Sequence, residues 1–105
     1  MMRHVSVFRF KPEYRTEEIV FRIAEQLRAL PEQVPTILES EIGVKPIQIP
    51  PESPDGLVQF YDLIQIITFA SSEDCAAYPA AEGHIRFVTA SGEYMDQVIG
   101  IDYPV

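Results

Sequence analysis

Hydrophobic and polar positions alternate along "RHVSVFRF", residues 3–10. His4, Ser6, Phe8 and Phe10 point one way, and Arg3, Val5, Val7 and Arg9 the other. β-Branched and aromatic side chains suit a strand, and neither face reads as fully solvated. The period then changes. In "EEIVFRIAEQLRAL", Ile19, Val20, Ile23, Ala24, Leu27 and Leu30 recur at the i, i+3/i+4 spacing of an amphipathic helix. Thr16 is its N-cap. Glu17 and Glu18 put negative charge at the positive end of the helix dipole. Pro31 marks the expected end, followed by the prolyl turn "PEQVP".

Alternation returns in "TILESEIGV". Leu38, Ser40, Ile42 and Val44 share one face, with Glu39 and Glu41 opposite. The proline-rich "KPIQIPPESPDG" is the longest loop and a candidate flap over a pocket. The strongest strand signal is "LVQFYDLIQIITF". Tyr61, Leu63, Ile67 and Phe69 lie on one face, and Phe60, Ile64 and Ile66 on the other. A strand apolar on both faces is covered on both. "SSED" reads as a capping box that starts a short helix through Tyr78. Pro79 ends or kinks that helix. A second short helix runs from about residue 81 to 90, with Gly92 as its stop. "EYMDQVIGIDY" is the last strand.

The order β-α-β-β-α-β predicts a ferredoxin-like α+β fold, one antiparallel sheet with helices on one face. The second face is also apolar, and nothing in the chain is left to cover it. Exposed patches of that size are uncommon in monomers. A second copy of the chain packed face to face is the simplest cover, which predicts a symmetric homodimer.

Composition narrows the function. A chain of 105 residues suits one domain, residues 1–105. The net charge of −8, with eight scattered basic residues, argues against nucleic acid. Arg3, His4, Ser6 and Arg9 break any signal-peptide core, and no apolar run is long enough to span a bilayer. Cys75 is the only cysteine, which fits a reducing cytoplasm. No metal site is expected, because two histidines and one cysteine show no ligand spacing. There is no glycine-rich phosphate loop.

Several segments in order carry a resemblance: "RHVSVFRFK", "LPEQVP" followed by E-x-G-V, "YDLIQIITF", "SSEDCAAY" and "VIGIDY". Together they resemble the stress-responsive α/β-barrel (Dabb) family across essentially the whole chain. The resemblance implies a dimeric α+β barrel that needs no cofactor. A plant cyclase of the family uses a histidine–tyrosine pair for aldol chemistry, in a pocket between sheet and helices. Those two positions fall on His84 and Tyr78, and a first-strand histidine falls on His4. Ala81 and Leu63 stand where relatives carry further histidines.

His84 and Tyr78 are therefore the candidate catalytic residues. A neutral imidazole is a general base near pH 7, and a tyrosine hydroxyl stabilises a developing enolate. On one straight helix, residues six apart lie about 600° round the axis. Convergence needs a break at Pro79. His4, Phe8, Leu27 and Leu63 are the candidate substrate-binding residues. Glu82 is a candidate neighbour of His84, favouring the imidazolium. Asp62 is expected in water at a strand end or paired, with Arg3 or Arg9 across the dimer as its partner. Asp102 is read as structural, and Cys75 as a small buried hydrophobe.

Three functions are open. The first is a cofactor-independent lyase, cyclase or isomerase acting on a small apolar carbonyl compound. The second is a non-catalytic small-molecule binding or stress-response dimer. The third and weakest is a cofactor-free monooxygenase. An enzyme needs Tyr78 and His84 converging on one cavity, and that cavity must not be filled by Leu63, Leu27 and Phe8.

Overall fold

The computed structural model describes residues 1–105. Its elements are β1 (Met2–Phe10), α1 (Glu17–Gln33), β2 (Ile37–Val44), β3 (Leu63–Phe69), α2 (Ser72–Ala77), α3 (Glu82–Ser91) and β4 (Met95–Pro104). Short 3₁₀ turns cover Pro12–Tyr14, Tyr78–Ala80 and Gly92–Tyr94. The four strands form one antiparallel sheet in the order β2-β3-β1-β4. This is the ferredoxin-like α+β arrangement, with its second helical segment split into α2 and α3.

Helix α1 starts where its cap requires, with the Thr16 hydroxyl accepting from the Ile19 amide. It does not end at Pro31, which lies inside the last turn. Pro31 forfeits one backbone hydrogen bond. Leu30 and Val34 are both buried on either side of it, and the Val34 amide still donates to the Leu30 carbonyl. Burying two such side chains offsets the lost bond, since each contributes about 1.5–3 kcal/mol. Val20, Ile23, Leu27 and Leu30 pack on Phe10, Ile67 and Phe69 to make the core.

The first strand faces as its alternation requires: Ser6, Phe8 and Phe10 are buried on the helix side. Strand β2 departs from its pattern. Its register against β3 shifts between Ile37 and Glu39, so Ile37 turns inward and Leu38 is left 54% exposed. An extra residue in one strand moves its neighbours to the opposite face. Strand β3 is shorter than expected, beginning at Leu63, and Leu57 is 82% exposed. Residues 57–62 are held instead by a lone bridge, Glu52 to Gln59, and by Asp62.

Asp62 is wholly buried, and its partners are neither Arg3 nor Arg9. Its carboxylate accepts from Arg15 Nε at 2.6 Å and from the Phe10 amide at 2.9 Å. Lys45 Nζ lies 3.7 Å away. This cluster ties the proline-rich loop to the end of β1, and Arg15 also donates to the Ile49 carbonyl. The lysine's pKa is lowered, by burial first and by the nearby Arg15 charge second.

On the sheet's second face, Val5, Val7, Ile64 and Ile66 are half-buried, while Ile99, Ile101 and Tyr103 are exposed. No element of the chain covers them.

Candidate active site

A cavity of about 420 Å³ lies between the helix-facing side of the sheet and helices α1 and α3. Ser6, Phe8, Leu27, Gln65, Tyr78 and His84 are among its walls. Phe8 and Leu27 line it without filling it. Leu63 does not reach the wall; it is packed in the core. The proline-rich loop is no flap here, since none of residues 45–56 borders this cavity.

Local sequence brings Tyr78 and His84 together. Ser71 caps α2 by accepting from the Asp74 amide at 3.1 Å. Tyr78 to Ala80 then tighten into a 3₁₀ turn carrying Pro79. The break itself falls at Ala81, which is extended (φ −64°, ψ 136°), so α3 restarts in a new direction at Glu82. Gly83 lets α3 sit against α1: a Cβ there would come within 2.9 Å of Gln33 Cβ. At its other end α3 stops at Gly92 without the left-handed conformation such a stop often uses, and runs on into a 3₁₀ turn.

The Tyr78 and His84 rings are 4.6 Å apart, centroid to centroid. Burial pushes the Tyr78 hydroxyl up to about 12, so it remains a donor at any ordinary pH. His84 is half-buried, and its Nδ1–H donates to the Pro79 carbonyl at 3.2 Å. With that proton fixed on Nδ1, the lone pair is on Nε2. Burial lowers the His84 pKa; the Pro79 contact opposes this, and His4 adds slightly to the lowering. Glu82 does not attend the imidazole. Its carboxylate accepts from Arg86 at 2.7 Å, one turn along α3.

His4 stands beside the cavity, not in its wall. Its ring meets Tyr78 edge-on at 5.4 Å. Its Nδ1–H donates to Asp102 Oδ1 at 2.5 Å, and the Ser6 hydroxyl donates to its Nε2 at 2.9 Å. Sequence reasoning missed Ser6 and the tie to Asp102. The i, i+2 spacing of His4 and Ser6 on one strand face was a usable signal. The register that sets Asp102 opposite His4 was not. Cys75 is buried as expected, and burial, followed by the Asp102 charge, raises its thiol pKa.

The sheet, the split second helix and the cavity between them define a ferredoxin-like α+β subunit. The chain belongs to the Stress responsive A/B Barrel Domain (Dabb) family, whose model matches residues 2–105. Among curated proteins, none matches the sequence. Among solved structures it is similar to the Arabidopsis thaliana protein At3g17210, at 26% identity and TM-score 0.80, over 100% of this chain and 95% of that one. It is also similar to a dimeric ferredoxin-like protein of unknown function from Bacteroides fragilis, at 17% identity and TM-score 0.76, over 99% and 95%. A third is the hydroxynitrile lyase of Passiflora edulis, at 17% identity and TM-score 0.75, over 99% and 92%. No helix is long and apolar enough to cross a membrane.

Proposed function

We propose that the cavity binds a small, mostly apolar carbonyl compound and that His84 and Tyr78 move a proton on it. The reaction class is a cofactor-independent lyase, cyclase or isomerase. One observation carries this reading: a buried hydroxyl donor and an imidazole with its Nε2 lone pair free share one apolar cavity, 4.6 Å apart between ring centres. His84 Nε2 takes the proton α to the carbonyl. Tyr78 donates its hydrogen bond to the oxygen on which enolate charge develops. Such a donor is worth most in a site that excludes water. The lowered His84 pKa keeps the ring neutral at pH 7, the form a base requires. The Passiflora enzyme puts a lyase on this fold, which agrees with the reading but shares only the fold with this chain.

The experiment needs no knowledge of the natural substrate. Small apolar aldehydes and ketones are incubated with protein in D₂O, and α-deuteration is followed by NMR. Wild type accelerates exchange for at least one compound. His84→Ala loses the acceleration by on the order of a hundredfold or more, and Tyr78→Phe loses part of it. Binding of a carbonyl compound with no exchange above buffer would favour the non-catalytic binding protein instead.

The working unit in this reading is a homodimer. The open sheet face, with Ile101 57% exposed on its edge strand β4, packs on a second copy. The dimeric relative from Bacteroides fragilis has the same fold. Light scattering on Ile101→Glu is expected to show a monomer where wild type shows a dimer.

A further inference from the structure

The hydrogen-bonded row Ser6–His4–Asp102 has no part in the proton chemistry above. Asp102 is a carboxylate and only accepts, so His4 Nδ1 must carry the ring proton. That fixes Nε2 as the acceptor, and the Ser6 hydroxyl must be the donor at 2.9 Å. Each group is thus in the protonation state in which an acid–base–nucleophile row works. Ser6 is buried from bulk water but is part of the cavity wall. The residue paired with it across β4 is Gly100. A Cβ at Gly100 would lie 3.5 Å from His4 Cε1, in ordinary contact, so the ring sits directly against this glycine. On the other side it faces Gln65, whose carboxamide donates to Ser40 and leaves the Ser6 hydroxyl to His4 alone.

We propose that Ser6 is a second reactive group in this cavity, a nucleophile toward small apolar acyl esters, with His4 as its base and Asp102 as the residue that sets the His4 tautomer. The step balances without a cofactor. Ser6 Oγ forms a bond to the ester carbonyl carbon while its proton passes to His4 Nε2. The carbon–oxygen bond to the alcohol breaks, and that oxygen takes the proton from Nε2. Water, deprotonated by His4, then cleaves the acyl-serine and releases the acid. Tyr78, which shares the cavity wall with Ser6 and meets the His4 ring edge-on, is the hydroxyl available to the oxyanion. Such a row is recognised by geometry and roles rather than by sequence order. The proposal does not depend on His84 and stands or falls separately.

The test uses an alkyl fluorophosphonate, with which a nucleophilic serine exchanges fluoride for a covalent O–P bond. Intact mass and peptide mapping are expected to place one adduct on Ser6 of the folded wild-type chain. Ser6→Ala should take none, and Ser72→Ala, exposed on α2 and outside the cavity wall, should label like wild type. Asp102→Asn keeps the side-chain size but replaces the carboxylate with a neutral carboxamide, which no longer stabilises the imidazolium formed when His4 takes the Ser6 proton. Labelling should slow on the order of a hundredfold or more. Turnover of p-nitrophenyl butyrate should fall in parallel. No adduct on folded wild-type protein, an adduct on a different residue, or an Asp102→Asn rate equal to wild type would each overturn the proposal.

Discussion

Asp62 and Asp102 are carboxylates at opposite ends of the same strand pair system, and their surroundings differ in kind. Asp62 is 0% exposed, meets Arg15 and Lys45, and accepts from the Phe10 amide. Asp102 has a side chain 53% exposed and meets a histidine. The first carboxylate is held in place by two cations and a backbone amide. The second is set against an imidazole, a group that can both take and give a proton, and that imidazole touches a cavity-lining hydroxyl. Burial with full charge compensation marks a structural lock. A half-open carboxylate acting through an imidazole marks a place where protons can move.

That contrast can be broken by substitution. Asp62→Ala is expected to have the largest effect on stability. It leaves Arg15 without its buried partner and the Phe10 amide unpaired, a loss of about 3–5 kcal/mol. A thermal melt would read this directly, and a loss under about 1 kcal/mol would mean the cluster is solvated. Lys45→Met should cost much less, about 1 kcal/mol or less, because Arg15 remains and the desolvated ammonium is removed. Asp102→Asn is expected to be the mildest in a melt, within about 1 kcal/mol, as befits a half-exposed pair. Its effect belongs to the reactivity of Ser6 instead.

The two carboxylates were also unequal in how far the chain disclosed them. The fold was largely legible: alternation in residues 3–10, the stripe from Ile19 to Leu30 and the Ser71 cap each placed an element. What failed were boundaries decided by tertiary contact. Pro31 stays helical because Leu30 and Val34 are both buried. Residues 57–62 leave the sheet where Asp62 finds cations supplied from Arg15 and Lys45, 47 and 17 positions away in the chain. Leu38 is out of phase because a register shift is set by the partner strand. In the site, Tyr78 and His84 were identifiable through the family resemblance, and the break that brings them together was signalled by Pro79, though it falls two residues later. Asp102 could not be paired with His4, since residues 98 apart meet only through strand register.

His84 gives the account its sharpest pH dependence. Its pKa in the fold is below the ordinary 6.5. The neutral ring is therefore the form the fold favours. Its contribution to stability is fully present above pH ~6.5 and is lost as the pH falls through the folded pKa. The same titration governs the base. Carbonyl α-exchange should hold its rate from neutrality to below pH 6.5 and then fall as the ring protonates. The most direct measurement records that exchange rate against pH and, on the same protein, the His84 Cε1–H chemical shift by NMR. The account predicts an acid limb that coincides with the His84 titration, below 6.5, and disappears in His84→Ala. An exchange rate that ignores the His84 titration, or that survives His84→Ala unchanged, would contradict it.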